Sequence, residues 1–331
     1  DSGAYLQNPE SLTPLTGIRY NIDPSVEYST NGGNKHTLKT RLYGVDNSTV
    51  NLDQNSASKL WYAEYRYLQK FRSGAHWTSG VSYTRNSIFA NLYGDHRGSN
   101  ASLYSQIDAK LFKRLKISSG LRWELNALDG ELYYSIPVLR AGLNYQAGGA
   151  TFLRVSLGQG YRFPTVAEKF TATVISALRI FPNPDLEPER GWSAEVGVKQ
   201  GLSLGSWSGF ADLALFWTEY SNMIEFTFGV YPPNPDDPPT LEDVGFKALN
   251  IGTARINGIE GTLSASGKAG PLGLQFSAGY TLMNPVDPSL LDSAEVVNRE
   301  GHVLKYRRRH LLKGDLEASI WKIFAGINLQ Y

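Results

Sequence analysis

Side chains along this chain alternate between oily and wet with a period of two. Over 272–282, Leu272, Leu274, Phe276, Ala278, Tyr280 and Leu282 hold one parity, and Gly273, Gln275, Ser277, Gly279 and Thr281 hold the other. Successive strand residues point to opposite faces, so this is the mark of a strand with one apolar and one polar side. The same split sets Leu121 and Trp123 against Arg122 and Glu124, and Leu153 and Val155 against Arg154 and Ser156. It also sets Trp192 and Val196 against Glu195 and Lys199. Helical stripes of comparable length are hard to find. The pattern predicts fourteen strands, near 17–30, 36–47, 58–71, 75–87, 101–112, 115–126, 135–146, 150–161, 190–200, 207–220, 249–266, 272–282, 305–319 and 322–331.

Such strands bury their apolar faces against each other in a soluble sandwich, or turn them to lipid around a wet lumen. Most of the predicted strands run about ten residues, the length of a tilted strand crossing a bilayer. Their connections alternate. Short ones fall near 31–35, 72–74, 113–114, 147–149, 201–206, 267–271 and 320–321, and long ones near 48–57, 88–100, 127–134, 162–189, 221–248 and 283–304. Tight turns on one rim and long loops on the other are the asymmetry of outer-membrane barrels. Proline lacks the N–H that a paired strand needs, and nine of the sixteen prolines lie between Pro164 and Pro239, almost all in the two largest loops. Pro24 and Pro137 fall within predicted strands and are expected at strand ends or bulges. Trp61, Tyr62, Trp77, Trp207, Trp217, Tyr220 and Trp321, near strand ends, are expected to form interfacial girdles. The fold expected is all-β, an antiparallel transmembrane β-barrel. Arg122, Glu124, Arg154, Glu195, Lys199, Glu260 and Gln275 then face the lumen, and Leu121, Trp123, Leu153, Val155, Trp192, Val196, Leu274 and Phe276 face lipid.

The length of 331 residues fits two soluble domains or one large barrel, so it decides nothing alone. Composition narrows the chemistry. Lys and Arg total 32 against 31 Asp and Glu, and a net charge of +1 leaves no basic footprint for nucleic acid. With no cysteine, disulfides, thiolate metal sites, iron–sulfur clusters and Cys nucleophiles are excluded. The longest strictly apolar run is five residues, Leu213 to Trp217, where a membrane helix needs about 20. The chain starts at Asp1 without an initiator Met or export signal and stops at Tyr331 inside a predicted strand, so it is expected to be a fragment.

Four stretches carry a resemblance. GQGYRFPTVAEKF (158–170), PNPDLEPERGWSAEVGVKQ (182–200), FWTEYSNMIEF (216–226) and NIGTARINGIEGTLSASG (250–267) are similar, in order, to motifs of the TonB-dependent receptor barrel. YGDHRGSNASLYSQ (93–106) and LKYRRRHLLKGDLE (304–317) are similar to Bacteroidetes-type members. The resemblance implies an outer-membrane receptor with a barrel of about 22 strands closed by an N-terminal plug, importing a scarce ligand with energy passed from TonB. Residues 1–331 would then form a partial barrel domain of about fourteen strands, lacking the plug, about five early strands and about three final ones. Implied partners are TonB, reached through the absent plug, outer-membrane lipid and lipopolysaccharide, and a small-molecule or metal-chelate ligand; no cofactor is implied. Two motif boxes, Arg162-Phe163-Pro164 with Glu168, and Asn183-Pro184-Asp185-Leu186 followed by Glu189 and Arg190, are expected to brace a loop or to rim the ligand site. Prolines stiffen the second box while Leu186 packs inward. Arg162, Glu168, Glu189 and Arg190 are expected to pair near the external rim.

Absences narrow the ligand. Haem receptors of this family carry a histidine between these boxes, and none lies between Pro164 and Asn183 here. Glycan importers of the starch-utilisation type read NPDLKWE where this chain reads NPDLEPER, which favours a ferric siderophore or another metal chelate. His36, His76, His96, His302 and His310 are scattered without metal-ligand spacing. Asp236 and Asp237 fall short of the oxygens that calcium needs. Gly158-Gln159-Gly160 lacks a third glycine and a following helix for a nucleotide loop, and there is no Gly-x-Ser-x-Gly elbow. The two parities of Arg307-Arg308-Arg309 keep them from forming one patch. A passive porin-like or adhesin-like barrel and an outer-membrane barrel hydrolase are the competing readings.

Overall fold

The computed structural model describes residues 15–49, 55–175, 178–234, 236, 238–288, 304 and 308–331. β1 (Leu15–Ile22) and β2 (Ser25–Ser29) both lie against β3 (Lys35–Thr49), and β4 (Ser56–Lys70), β5 (His76–Ala90), β6 (Gly94–Leu111) and β7 (Leu115–Leu128) follow as hairpins. Short β8 (Glu131–Tyr134) folds back on β7, and β9 (Val138–Gln146) and β10 (Thr151–Arg162) resume the sheet. A helix, α1 (Val166–Phe170), then β11 (Thr173–Ile175) and β12 (Leu178–Phe181), precede β13 (Glu189–Leu204) and β14 (Trp207–Ser221). After β15 (Ile224–Val230), a 3-10 turn at Leu241–Asp243 and β16 (Val244–Asn250) come β17 (Thr253–Ala269), β18 (Leu272–Val286), β19 (His310–Ile320) and β20 (Ile323–Gln330). The main sheet runs β1-β3-β4-β5-β6-β7-β9-β10-β13-β14-β17-β18-β19-β20, antiparallel throughout. β1 and β20 end that order and do not pair with each other, so the described sheet is not closed.

Every predicted strand is present. The first is split at Asp23-Pro24, where a proline cannot donate to the ladder and its carbonyl instead accepts from the Thr40 N–H at 3.0 Å. Pro137 lies between β8 and β9, at a strand end. On the short rim, the three-residue turn of Phe112, Lys113 and Arg114 carries positive φ at Phe112 and Lys113, 52° and 61°, the left-handed backbone of a tight hairpin.

Alternation holds in three dimensions. Leu121, Val155, Leu157 and Val196 are 45%, 41%, 55% and 51% exposed on one face. The opposite parity carries Arg122, Arg154, Glu195 and Asp212, tied by ion pairs. The apolar core cluster is small, Met223, Ala254 and Leu304 with Ile251 and Ile256 packed on it, so little of the oily surface is buried among the described residues. A wet sheet with such a face would aggregate; against acyl chains the same face is solvated. This is the sheet of an antiparallel transmembrane β-barrel. Trp61 pairs with Tyr83 at 5.7 Å on the apolar side, and Trp207 with Phe276 at 6.3 Å. Tyr62 and Tyr220 share the parity of Glu64 and Thr218 and belong to the polar face, not to a girdle.

Several boundaries differ from the sequence reading. The 88–100 connection is a three-residue turn, because β5 runs to Ala90 and β6 starts at Gly94. β7 likewise continues to Leu128 and turns at Asp129-Gly130 into β8. β18 reaches Val286 and includes Pro285, beyond the last β19 pair at Leu282–His310, so the missing N–H breaks no ladder there. The predicted 249–266 strand is two elements, with β16 ending at Asn250 and β17 starting at Thr253. β19 begins at His310; Arg307, His302 and Asp237 lie outside the described residues. The 162–189 and 221–248 loops hold a second sheet, in the order β11-β12-β16-β15, in which β12 and β16 run parallel.

Candidate functional site

The second sheet and α1 sit on the rim of the long connections, and the two motif boxes join them to the main strands. Pro164 precedes the helix and Thr165 caps it. The Thr165 hydroxyl accepts from the Glu168 N–H at 3.2 Å, and the Glu168 carboxylate accepts from the Thr165 N–H at 2.8 Å, a capping box. Arg162, at the end of β10, donates to Glu168 at 2.8 Å and to Glu189, at the start of β13, at 2.5 Å. Arg190, expected in the same cluster, stays exposed and makes no ion pair among the described residues. Phe163 packs on Tyr133 of β8, ring centroids 4.8 Å apart.

The second box is a knot of backbone bonds. Leu186 is 2% exposed and Lys169 of α1 is 2% exposed, with the Lys169 ammonium donating to the Leu186 carbonyl at 3.0 Å. Asn183 donates its side-chain amide to the Ala248 carbonyl at 2.8 Å, and its backbone N–H to the Lys169 carbonyl at 2.7 Å. Pro184 and Asp185 are exposed at the bend. The Asn250 amide bonds the backbone of Glu187 in both directions, at 2.9 and 3.0 Å, and also the Asn222 carbonyl at 2.8 Å. The Glu189 carboxylate accepts the Ile224 N–H at 2.6 Å, linking β13 to β15. Lys169, Asn222 and Asn250 carry much of this junction; each lies inside one of the family-like stretches, 158–170, 216–226 and 250–267, but the sequence alone gives none of them a role.

A second contact lies over the β5–β6 turn. The His96 ring bridges the Asp129 carboxylate and the Tyr93 carbonyl, 2.6 Å from each, and stacks on Phe170 at 3.9 Å. Burial would raise the Asp129 carboxyl, but the bonds from the Arg97 N–H and from His96 hold it below its ordinary 3.8. Burial would likewise raise Glu168, and the bonds from Arg162 and Thr165 hold it below its ordinary 4.5. Burial pushes the Lys169 ammonium down, against the pull of Glu131 and Asp185. Both carboxyls titrate lower folded than unfolded, so their stabilisation is complete above the ordinary values of 4.5 and 3.8 and is lost as the pH falls through the depressed ones. Acidification below about pH 4 should therefore open the rim before the strands, seen as faster amide exchange at Ala172 and Ile224 while β13 and β14 stay protected. Simultaneous loss of protection in both would contradict it.

Along the polar face the expected lumen residues fall on one side. Arg122 bonds Glu124 at 2.5 Å, and Asn100 adds a bond to Glu124 at 3.2 Å. Arg154 reaches across two strands to Glu195 at 2.8 Å and Asp212 at 2.6 Å. Gly197 makes that reach possible, since a Cβ there would come within 2.6 Å of the Arg154 guanidinium carbon. Lys199 stands over the Phe210 ring at 3.7 Å, while Glu260 and Gln275 are exposed.

Among known proteins, the family model described as TonB dependent receptor-like, beta-barrel matches residues 3–331. No curated protein sequence matches. The siderophore receptor PirA from Pseudomonas aeruginosa is similar in structure, with 12% identity, TM-score 0.70, and coverage of 96% of this chain and 57% of that one. A double mutant of the Serratia marcescens hemophore receptor HasR, in complex with its hemophore HasA and heme, gives 15% identity and TM-score 0.68 over 96% of this chain and 58% of that one. A mutant of the ferric enterobactin receptor PfeA from Pseudomonas aeruginosa gives 16% identity and TM-score 0.69 over 95% and 49%. The chain thus spans about half to three-fifths of the length of these structures.

Proposed function

The chain belongs to the TonB-dependent receptor β-barrel family, a family of bacterial outer-membrane proteins, and from that membership we propose that the intact protein imports a scarce ligand across the outer membrane with energy delivered by TonB. The family match over residues 3–331 carries the reading. A ferric siderophore or another metal chelate is the ligand class, supported by the similar siderophore and ferric enterobactin receptors and by the lack of histidine between the two motif boxes. The polar face supplies the wall of an aqueous path, and the apolar face meets lipid and the acyl chains of lipopolysaccharide. The motif boxes serve as braces: their side chains are spent on holding α1, β13 and β16 together, which leaves the exposed rim and the wall to touch the ligand.

The test is uptake of a radiolabelled ferric chelate by cells that depend on the intact receptor. Deleting TonB should abolish accumulation while binding at the cell surface persists. Accumulation that continues at an undiminished rate without TonB would favour the passive pore.

A further inference from the structure

Arg140, on β9, differs from the two arginines of the polar wall that lie on the strands either side of it, Arg122 on β7 and Arg154 on β10. Arg122 and Arg154 each donate to a carboxylate, whereas the Arg140 side chain is exposed and makes no hydrogen bond or ion pair among the described residues. Its neighbours on both flanking strands are glycines: it pairs with Gly120 on β7 and with Gly158 on β10. Gly142 follows two residues along on the same face, and Gly160 lies diagonally across. Two cavities of the wall, of 610 and 430 Å³, meet at Arg140, and both touch Gly120 and Gly160.

Nothing among the described residues requires these four to be glycine. None has a positive φ. A Cβ added at any of them would meet its nearest atom at 3.5 to 3.9 Å, ordinary contact. Other glycines of the sheet are forced: a Cβ at Gly209 would lie 2.1 Å from the Ser264 carbonyl, and one at Gly258 2.2 Å from the Leu282 carbonyl; Gly261, Gly279 and Gly314 are open like these four, but they are not gathered around one arginine. A strand glycine costs about 0.5–1 kcal/mol relative to alanine, so four bare positions around one unpaired guanidinium are a floor kept clear for something that comes close from outside this sheet.

We infer that Arg140, on its glycine floor, is an anion-binding site that takes a carboxylate or similar oxyanion by a bidentate, charge-assisted contact, with the Ser118 and Ser156 hydroxyls of the adjoining cavities in reach as further donors. The inference rests on the wall lining an aqueous path. The group has two sources, an anionic ligand in transit or an acidic side chain from another part of the receptor, and both use the same chemistry.

Crystals of the intact receptor soaked in selenate, whose anomalous signal locates it, test the site without any energised transport. The expected result is selenate beside Arg140 and none beside the paired Arg122 and Arg154, or else a carboxylate of the receptor itself already seated at Arg140. The first marks a soluble ligand as the source and the second an internal one. In the first case citrate binding should weaken about ten- to a hundredfold in Arg140→Gln, and should be lost in Gly158→Leu, which fills the floor and leaves the arginine in place. A bare Arg140 in the soaked crystals, or citrate binding unchanged in Arg140→Gln, overturns the site. Uptake that proves independent of TonB would instead sink the transport reading and leave this result standing.

Discussion

Replacing Val155 by Arg should destabilise the barrel by about 2–4 kcal/mol, while Ser156→Arg, one residue along, should cost under about 1 kcal/mol. Val155 is the fifth residue of a strand of twelve, near the middle of the span, and its side chain points away from the ion pairs of the polar face. An arginine there must hold its guanidinium among acyl chains or bend toward headgroups. At 156 the same group enters a wet space with the Glu195 backbone directly opposite on β13. Reversible denaturant unfolding of the intact receptor in lipid measures both. Equal penalties would mean that the two faces meet the same solvent, and the membrane-spanning sheet would have to be given up.

Truncating Leu186 to alanine should cost about 2–5 kcal/mol, confined to the rim. Leu186 is among the largest fully buried side chains of the described residues, and its carbonyl holds the buried Lys169 ammonium. A cavity there loosens α1 and the second sheet together, although the 186 carbonyl that Lys169 bonds stays in the chain. Leu153→Ala, on the lipid face at 44% exposure, makes no such cavity and is the control. Limited proteolysis of intact cells should cut the rim of Leu186→Ala rapidly and spare Leu153→Ala. Equal resistance of the two would show that the second box does not hold the rim.

The main strands were readable because lipid on one side and water on the other imposes two-sidedness on every crossing segment. That signal fails where both sides are wet. Asp95, His96, Arg97, Ser99 and Asn100 are polar on either parity, so the emergent end of β6 reads as loop although its ladder with β5 continues. The second sheet was hidden for a different reason. β15 does alternate, with Phe226, Phe228 and Val230 against Glu225, Thr227 and Gly229, but the proline-rich run that follows it, from Pro232 to Pro239, outweighs that cue. β11 and β12 are three and four residues long, and β12 finds its parallel partner β16 more than sixty positions away, a pairing no local pattern encodes. Arg162, Glu168 and Glu189 were expected to meet and do, whereas Lys169, though inside the 158–170 stretch, has no role until its neighbours are seen. Arg140 was missed because a free arginine differs from a paired one only in what surrounds it.

The parallel ladder between β12 and β16 stitches together two excursions that leave the wall at different places, one after β10 and one after β14. The Gly245 site shows how tight the seam is: an added Cβ would fall 2.1 Å from the Arg179 carbonyl. Neither excursion can lengthen, shorten or shift register without dragging the other. Across related genes, insertions and deletions in the two segments should therefore be inherited as a pair, and a chimera that grafts one excursion without its mate should lose both.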